Sequence, residues 1–259
     1  MPRCAYAVAC VIVACISLGA CGHGSSATGP TNNTGNPSPA TPTYDVARLG
    51  VPKFVNTIYI DLSQTNPVTG SPLINQVSTF RSSVGHDYSD SFETCRSMKH
   101  YFAAPNSSTR LSAPVTGTVV RVDTSANESQ IAIQADAQPA FWFTIFHPAL
   151  VKAFAVGEHV TEGQFLGTHI RDGEDSDIAV LVNPGASAPA TPGGIQGQLV
   201  SYFDTLTDSA FAPLRARGIN SLSDLILTRE QRDASPLSCA SSGGTFLTTI
   251  DPLPQFVHF

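Results

Sequence analysis

Charged side chains are scarce in this sequence, and basic ones are the fewest. Asp, Glu, Lys and Arg make up 13% of the 259 residues, and the formal net charge is −6. Proteins that bind nucleic acid need a basic face to meet the phosphates, so this composition argues against nucleic acid as a partner. The 19 prolines and 20 glycines favour a turn-rich β protein over a helical bundle.

The sequence also lacks a long apolar run near its start. The apolar stretch 5–20 is short for a helix that spans a membrane, which needs about 20 such residues. Arg3 precedes the stretch and small residues follow it, which is the layout of a secretory signal. We therefore expect residues 1–20 to be removed and the protein to be exported.

The end of this segment resembles a bacterial lipoprotein signal. In Leu18-Gly19-Ala20-Cys21 the resemblance implies that Cys21 is lipidated and becomes the new N-terminus. Several acyl chains would hold the protein on a membrane, since each buried CH₂ contributes roughly 0.8 kcal/mol. Gly22 in the next position resembles outer-membrane sorting, so we expect the protein to face the periplasm or the cell surface. Ordinary cleavage near Ala20, with Cys21 incidental, is the alternative.

Residues 22–43 contain no Asp, Glu, Lys or Arg. A segment of Gly, Ser, Thr, Asn, Pro and Ala cannot bury a core, so residues 21–43 are predicted to form a disordered tether. Beyond the signal and Cys21, only Cys95 and Cys239 remain. An even pair in an oxidising compartment predicts a disulfide, with two buried thiols as the alternative.

The body of the chain is predicted to be mainly β, with a short helical C-terminal extension. One segment with alternating apolar and polar residues, and others rich in Val, Ile, Phe and Thr and separated by turn signals, predict strands up to about residue 182. Apolar residues at helical spacing predict two helices after residue 196, and Ser221 with Asp224 resembles a capping box. We therefore predict a β domain over 44–195 and the extension over 196–259. The strand and helix segments are Phe54–Leu62, Arg110–Asp123, Ser129–Gln134, Ala140–His147, Ser176–Val182, Gln198–Arg217 and Ser221–Asp233.

Several motifs occur in a characteristic order. His86 and Asp90 are four residues apart, and Ala113-Pro114-Val115, Phe146-His147-Pro148 and a glycine-punctuated segment, 156–167, follow. Together they resemble the LytM/lysostaphin-type metallopeptidases, which cut peptidoglycan cross-bridges. The resemblance covers about a hundred residues. It implies an antiparallel LytM-like β domain with hammerhead-type turns.

The resemblance also implies roles for particular residues. His86 and Asp90 match two zinc ligands, and His147 matches a histidine that assists the attacking water. The family completes the site with an H-x-H strand, but this chain has Asp177 and Ala179 in those two positions. Ala179 has no donor atom, and a catalytic zinc normally keeps three protein ligands. His147 and Asp177 are therefore expected to be vestiges of a catalytic site.

The acidic run that precedes this strand allows two other interpretations. Asp175 and Asp177 are two residues apart, so both side chains would share one face of a strand. With His86 and Asp90 they could form a carboxylate-rich pocket, which suits Mg, Ca or Mn better than zinc. Alternatively, the run 174–177 is a solvated turn before a buried strand.

Two more histidines have a possible function. His100 lies beside Arg96 and Lys99, and this basic cluster could bind an anionic group or form an ordinary helix face. His169 follows a glycine where the family has a loop near the cleft, so it could contact substrate.

The sequence thus predicts an exported, membrane-anchored lipoprotein with a catalytically degenerate peptidase-like domain. We expect it to bind peptidoglycan or an envelope protein partner and to hold no cofactor. The first alternative is an active endopeptidase with substitute ligands, which would need zinc. The second is a structural envelope lipoprotein.

Overall fold

The computed structural model describes residues 43–103, 105–124, 129–185, 195–241 and 243–259. The predicted signal peptide, the predicted lipidation site Cys21 and residues 21–42 of the predicted tether lie outside the described residues. Every helix within these ranges is too short or too polar to cross a membrane.

Short strands dominate the described chain. The helices are α1 (Val46–Leu49), α2 (Asp208–Arg215) and α3 (Arg229–Ala234), with 3₁₀ turns at Tyr202–Thr205 and Leu222–Asp224. The strands are β1 (Gln76–Ser78), β2 (His100–Phe102), β3 (Arg110–Ser112), β4 (Gly117–Asp123), β5 (Gln130–Ala135), β6 (Phe141–Phe146), β7 (Pro148–Leu150), β8 (His159–Val160), β9 (Phe165–His169), β10 (Ser176–Val182), β11 (Gln198–Val200) and β12 (Phe256–His258).

The strands form two antiparallel sheets. The larger sheet runs β12-β1-β2-β10-β6-β5-β4-β8, with β11 also paired to β10, and the smaller runs β3-β9-β7. Adjacent strands in both sheets are antiparallel. The prediction of a mainly antiparallel β domain with a short helical segment near its C-terminus is confirmed.

The central strands of the larger sheet present two different buried faces. Successive side chains on a strand point to opposite faces, so Ile178 and Val180 enter the main core, while Asp177 and Ala179 face the other side. On that other side Ala179 belongs to a smaller apolar cluster, whose other buried members are Phe80, Tyr88, Met98, Phe146, Ile195 and Leu199. The candidate site lies beside this smaller cluster.

The strand predictions were accurate where a segment pairs along its whole length. Strands β5, β6 and β10 are confirmed. The predicted strand Phe54–Leu62 is wrong, because its backbone makes only isolated bridges at Val55 and Ile60. The predicted strand Arg110–Asp123 is divided between the two sheets, because the chain crosses from β3 to β4 at Ala113-Pro114, where proline has no N–H for a ladder.

The helical predictions for the C-terminal segment are partly wrong. Residues 198–200 form strand β11, because they find an open edge along the second half of β10. Ser221 and Asp224 do form a capping box, but it begins a 3₁₀ turn. The segment beyond residue 196 also supplies β12, which pairs with β1 in the larger sheet.

The predicted disulfide is confirmed. Cys95 and Cys239 are bonded, with their Cα atoms 5.7 Å apart and 144 positions apart in sequence. The bond ties the segment that leads into β2 to the C-terminal segment. Two free buried thiols, the alternative, are excluded.

Candidate functional site

Asp177 is the centre of the candidate site. It lies on β10 and is completely buried, and its Oδ2 atom accepts a hydrogen bond of 2.7 Å from the Lys99 ammonium. The pairing of β2 with β10 places Asp177 opposite Tyr101, and Lys99 is two residues before Tyr101 on the same face. Only 2% of the Lys99 side chain and 1% of the Asp177 side chain are exposed, so the two groups form a buried ion pair.

Aromatic rings surround the Lys99 ammonium. Its nitrogen is 3.5 Å from the ring centroid of Phe146, 4.4 Å from that of Tyr88 and 5.7 Å from that of Tyr101. All three distances are within the range in which a cation is attracted to the face of a ring. We call these three rings together with Asp177 the ammonium cage.

His147 lies at the edge of the cage. Its Nε2 atom is 3.4 Å from Asp177 Oδ1, and 27% of its side chain is exposed. His147 directly follows β6 with a positive φ of 59°, and its backbone N–H donates to the carbonyl of Ser129 at 2.7 Å. This left-handed residue turns the chain out of β6 and aims the imidazole at Asp177.

His86 is close enough to interact electrostatically with the same groups. Burial and, to a smaller extent, the positive charge of Lys99 lower its pKa to about 4, although Asp177 acts in the opposite direction. His86 is therefore neutral at pH 7. The structure thus brings together three of the predicted site residues, namely His86, His147 and Asp177.

Asp90, the fourth predicted residue, has a different environment. Its Oδ1 atom accepts hydrogen bonds from the backbone N–H groups of Phe92 and Glu93, and its Oδ2 atom accepts one of 2.6 Å from Leu199. The side chain is completely buried, and burial raises its pKa despite these bonds. Asp90 therefore anchors the loop after residue 90 to β11.

The donors around Asp177 do not fit a zinc ion. Ala179, at the position that the resemblance assigns to the third ligand, is 3% exposed and packs in the smaller apolar cluster. The ammonium of Lys99 already compensates Asp177 and would repel a metal ion. Within the described ranges, no three His, Cys, Asp or Glu side chains form a group that could hold a metal ion.

The remaining interpretations of the sequence are changed by burial. The solvated-turn interpretation of 174–177 is wrong for Asp177, which is buried on β10. His169 is also completely buried, which argues against direct contact with substrate. Its ring approaches the Glu174 carbonyl without the geometry of a hydrogen bond, and neither ring nitrogen has a hydrogen-bond partner among the described residues. Burial, with a smaller effect of His147, lowers the His169 pKa.

The sequence interpretation missed the role of Lys99. The segment Arg96–Tyr101 is not the face of a helix, because His100–Phe102 is strand β2 in the interior of the larger sheet. The alternation in Lys99-His100-Tyr101-Phe102 could have indicated this, because an extended segment sends Lys99 and Tyr101 to one face and His100 and Phe102 to the other.

The chain matches no family model and no curated protein. Among solved structures it is similar in fold to the lysostaphin catalytic domain of Staphylococcus simulans, with 15% identity over 46% of this chain and 88% of that one and a TM-score of 0.33. It is also similar in fold to a mutant catalytic domain of the prophage-encoded M23 protein EnpA of Enterococcus faecalis, with 17% identity over 58% of this chain and 93% of that one and a TM-score of 0.34. A third similar structure is a putative glycyl-glycine endopeptidase lytM of Ruminococcus gnavus, with 13% identity over 39% of this chain and 40% of that one and a TM-score of 0.30. These similarities concern the fold alone.

Proposed function

We propose that this chain is an exported lipoprotein whose peptidase-like domain binds peptidoglycan or an envelope protein partner without cutting it. The order of motifs in the sequence supports a domain derived from peptidoglycan metallopeptidases. In this proposal Cys21 carries the lipid anchor. The membrane would be the outer membrane, with the domain facing the periplasm or the cell surface.

The packing of Ala179 carries the proposal. A catalytic zinc needs three protein ligands and one open position for water. The third ligand is replaced by a methyl group that is 3% exposed and packs among apolar side chains. Because protein interiors are densely packed, a substitute donor would have to displace these apolar side chains to enter.

The proposal is tested with the mature chain and purified peptidoglycan. We expect the protein to sediment with insoluble peptidoglycan and to release no soluble fragments, with or without added zinc. A His86→Ala variant is the matched control, since it removes a group that the resemblance assigns to the metal.

The other results distinguish the alternatives. Fragment release that a chelator and His86→Ala both abolish would contradict the proposal and establish an active endopeptidase. Absence of sedimentation would exclude peptidoglycan as the ligand. If specific cross-linking to an envelope protein were then absent as well, a structural lipoprotein would be the better description.

A further inference from the structure

We propose that the ammonium cage is a binding site for a primary ammonium group that Lys99 fills from within the chain, so that Lys99 is the permanent cation beside Asp177. This inference goes beyond the proposed function, since it concerns which cation the site accepts. It arises from the mismatch between the donors present and a zinc ion.

The composition of the cage selects an ammonium group over a metal ion. Asp177 offers one carboxylate oxygen to the Lys99 nitrogen at 2.7 Å, and the rings of Phe146 and Tyr88 lie 3.5 and 4.4 Å away. Ring faces stabilise a monovalent organic cation, but they supply no lone pairs. Zinc requires nitrogen, sulfur or oxygen ligands on several sides. The cage supplies an oxygen ligand on the side of Asp177, whereas its other sides are the faces of aromatic rings.

Burial makes the occupant permanent. The Lys99 side chain is 2% exposed and Asp177 is 1% exposed, so an ammonium that left the cage would leave an unpaired carboxylate in the interior. Breaking a buried ion pair by loss of one partner is strongly destabilising. A divalent ion at Asp177 would therefore have to displace Lys99 or sit beside its positive charge.

This reasoning has a consequence for attempts to restore a metal site. Introducing histidines at positions 177 and 179 supplies ligands, but it leaves Lys99 in place and removes its counterion. Lys99 is thus a second barrier to metal binding, independent of the lost third ligand.

The test is chemical rescue of a Lys99→Ala variant of the mature chain. The substitution deletes three methylene carbons and the ammonium nitrogen, which are the heavy atoms of n-propylammonium. We expect the variant to melt roughly 10 °C below the wild type. Millimolar n-propylammonium should recover part of this loss and should not shift the wild type.

Two variants serve as controls. Lys99→Met fills the space of the Lys99 side chain with an uncharged side chain, so this variant should be destabilised but insensitive to the amine. Lys152→Ala removes a lysine whose side chain is 53% exposed and paired with Glu158, so it should show neither effect.

Three results would overturn the inference. One is a Lys99→Ala melting temperature that does not respond to the amine. Another is an equal response in Lys99→Met. The third is stabilisation of Lys99→Ala by zinc at concentrations at or below those of the amine, which would make the cage a metal site.

A measurement on the wild type remains available if Lys99→Ala does not fold. The rings of Phe146 and Tyr88 should shift the proton resonances of the Lys99 terminal methylene upfield, with nuclear Overhauser contacts to the Phe146 ring. If every lysine methylene had the chemical shift of a solvent-exposed lysine, the cage would be contradicted.

Discussion

Acidification should destabilise this protein through His100, a histidine with no assigned function. His100 lies on β2 and is 1% exposed, with its ring stacked on Phe80 and edge-on to Phe203. Its Nδ1 atom is 2.9 Å from the Ser78 carbonyl, and its Nε2 atom is 2.8 Å from Ser201 Oγ. Burial in this apolar environment lowers the His100 pKa from 6.5 to about 4.

The direction of the effect follows from proton binding in the two states. Below pH 6.5 the unfolded chain protonates His100, while the folded chain keeps it neutral until about pH 4. Protonation therefore favours unfolding across this window, and stability falls as the pH falls. The shift corresponds to about 3 kcal/mol, complete below pH 4. Since typical domains are stable by 5–15 kcal/mol, this is a large fraction.

The measurement is urea unfolding at intervals between pH 7.5 and pH 4.5, on the wild type and on His100→Gln. The variant cannot titrate at this position. The difference in free energy of unfolding between the wild type and the variant should therefore shrink by most of that 3 kcal/mol as the pH falls. His86, whose pKa burial also lowers to about 4, adds a loss of the same sign to both proteins. His258→Gln, at an exposed position, is the control and should follow the wild type.

The reasoning would be refuted if the free energies of unfolding of the wild type and His100→Gln changed with pH in parallel. A parallel change would mean that the folded protein protonates His100 as readily as the unfolded chain does. In that case the ring would have to be accessible to water, contrary to its packing against Phe80 and against Phe203 in the 3₁₀ turn at Tyr202–Thr205.

Three other predictions follow from named residues. Cys95→Ser, which opens the long loop closed by Cys239, should lower the free energy of unfolding by up to about 5 kcal/mol in non-reducing urea, whereas an unchanged midpoint would show that the bond does not stabilise the fold. The double variant Asp177→His/Ala179→His should take up no zinc and should be less stable than the wild type, because it overpacks the apolar cluster and removes the carboxylate that faces the buried Lys99 ammonium; stoichiometric zinc by elemental analysis would contradict this. Cys21→Ala should move the protein from the detergent-extracted membrane fraction to the soluble exported fraction, and unchanged partitioning would count against the lipid anchor.

The sequence alone determined the features that depend on local pattern or on simple counting. Segments rich in Val, Ile, Phe and Thr between turn signals predicted β5 and β6, because β-branched and aromatic side chains pack well on the surface of a sheet. Two remaining cysteines predicted a disulfide, because an even pair in an oxidising compartment has one possible partner each. The capping box at Ser221 was recognised because its two hydrogen bonds are made within four residues.

Only the tertiary structure decided the features that depend on distant partners. Whether residues 54–62 pair as a strand depended on their neighbours in space. Leu206 and Leu111 each pair with this segment at a single residue only. Asp90 acquired its backbone partner Leu199 from a segment 109 positions away. A pattern within one segment carries no information about such partners.

The state of the candidate site was decided in the same way. Lys99 and Asp177 are 78 positions apart, and they meet only because β2 is inserted beside β10 in the larger sheet. The resemblance in sequence predicted that a ligand is missing at Ala179. That a lysine ammonium would occupy the space next to Asp177 depended on strand order, because pairing across a sheet decides which buried charges become neighbours.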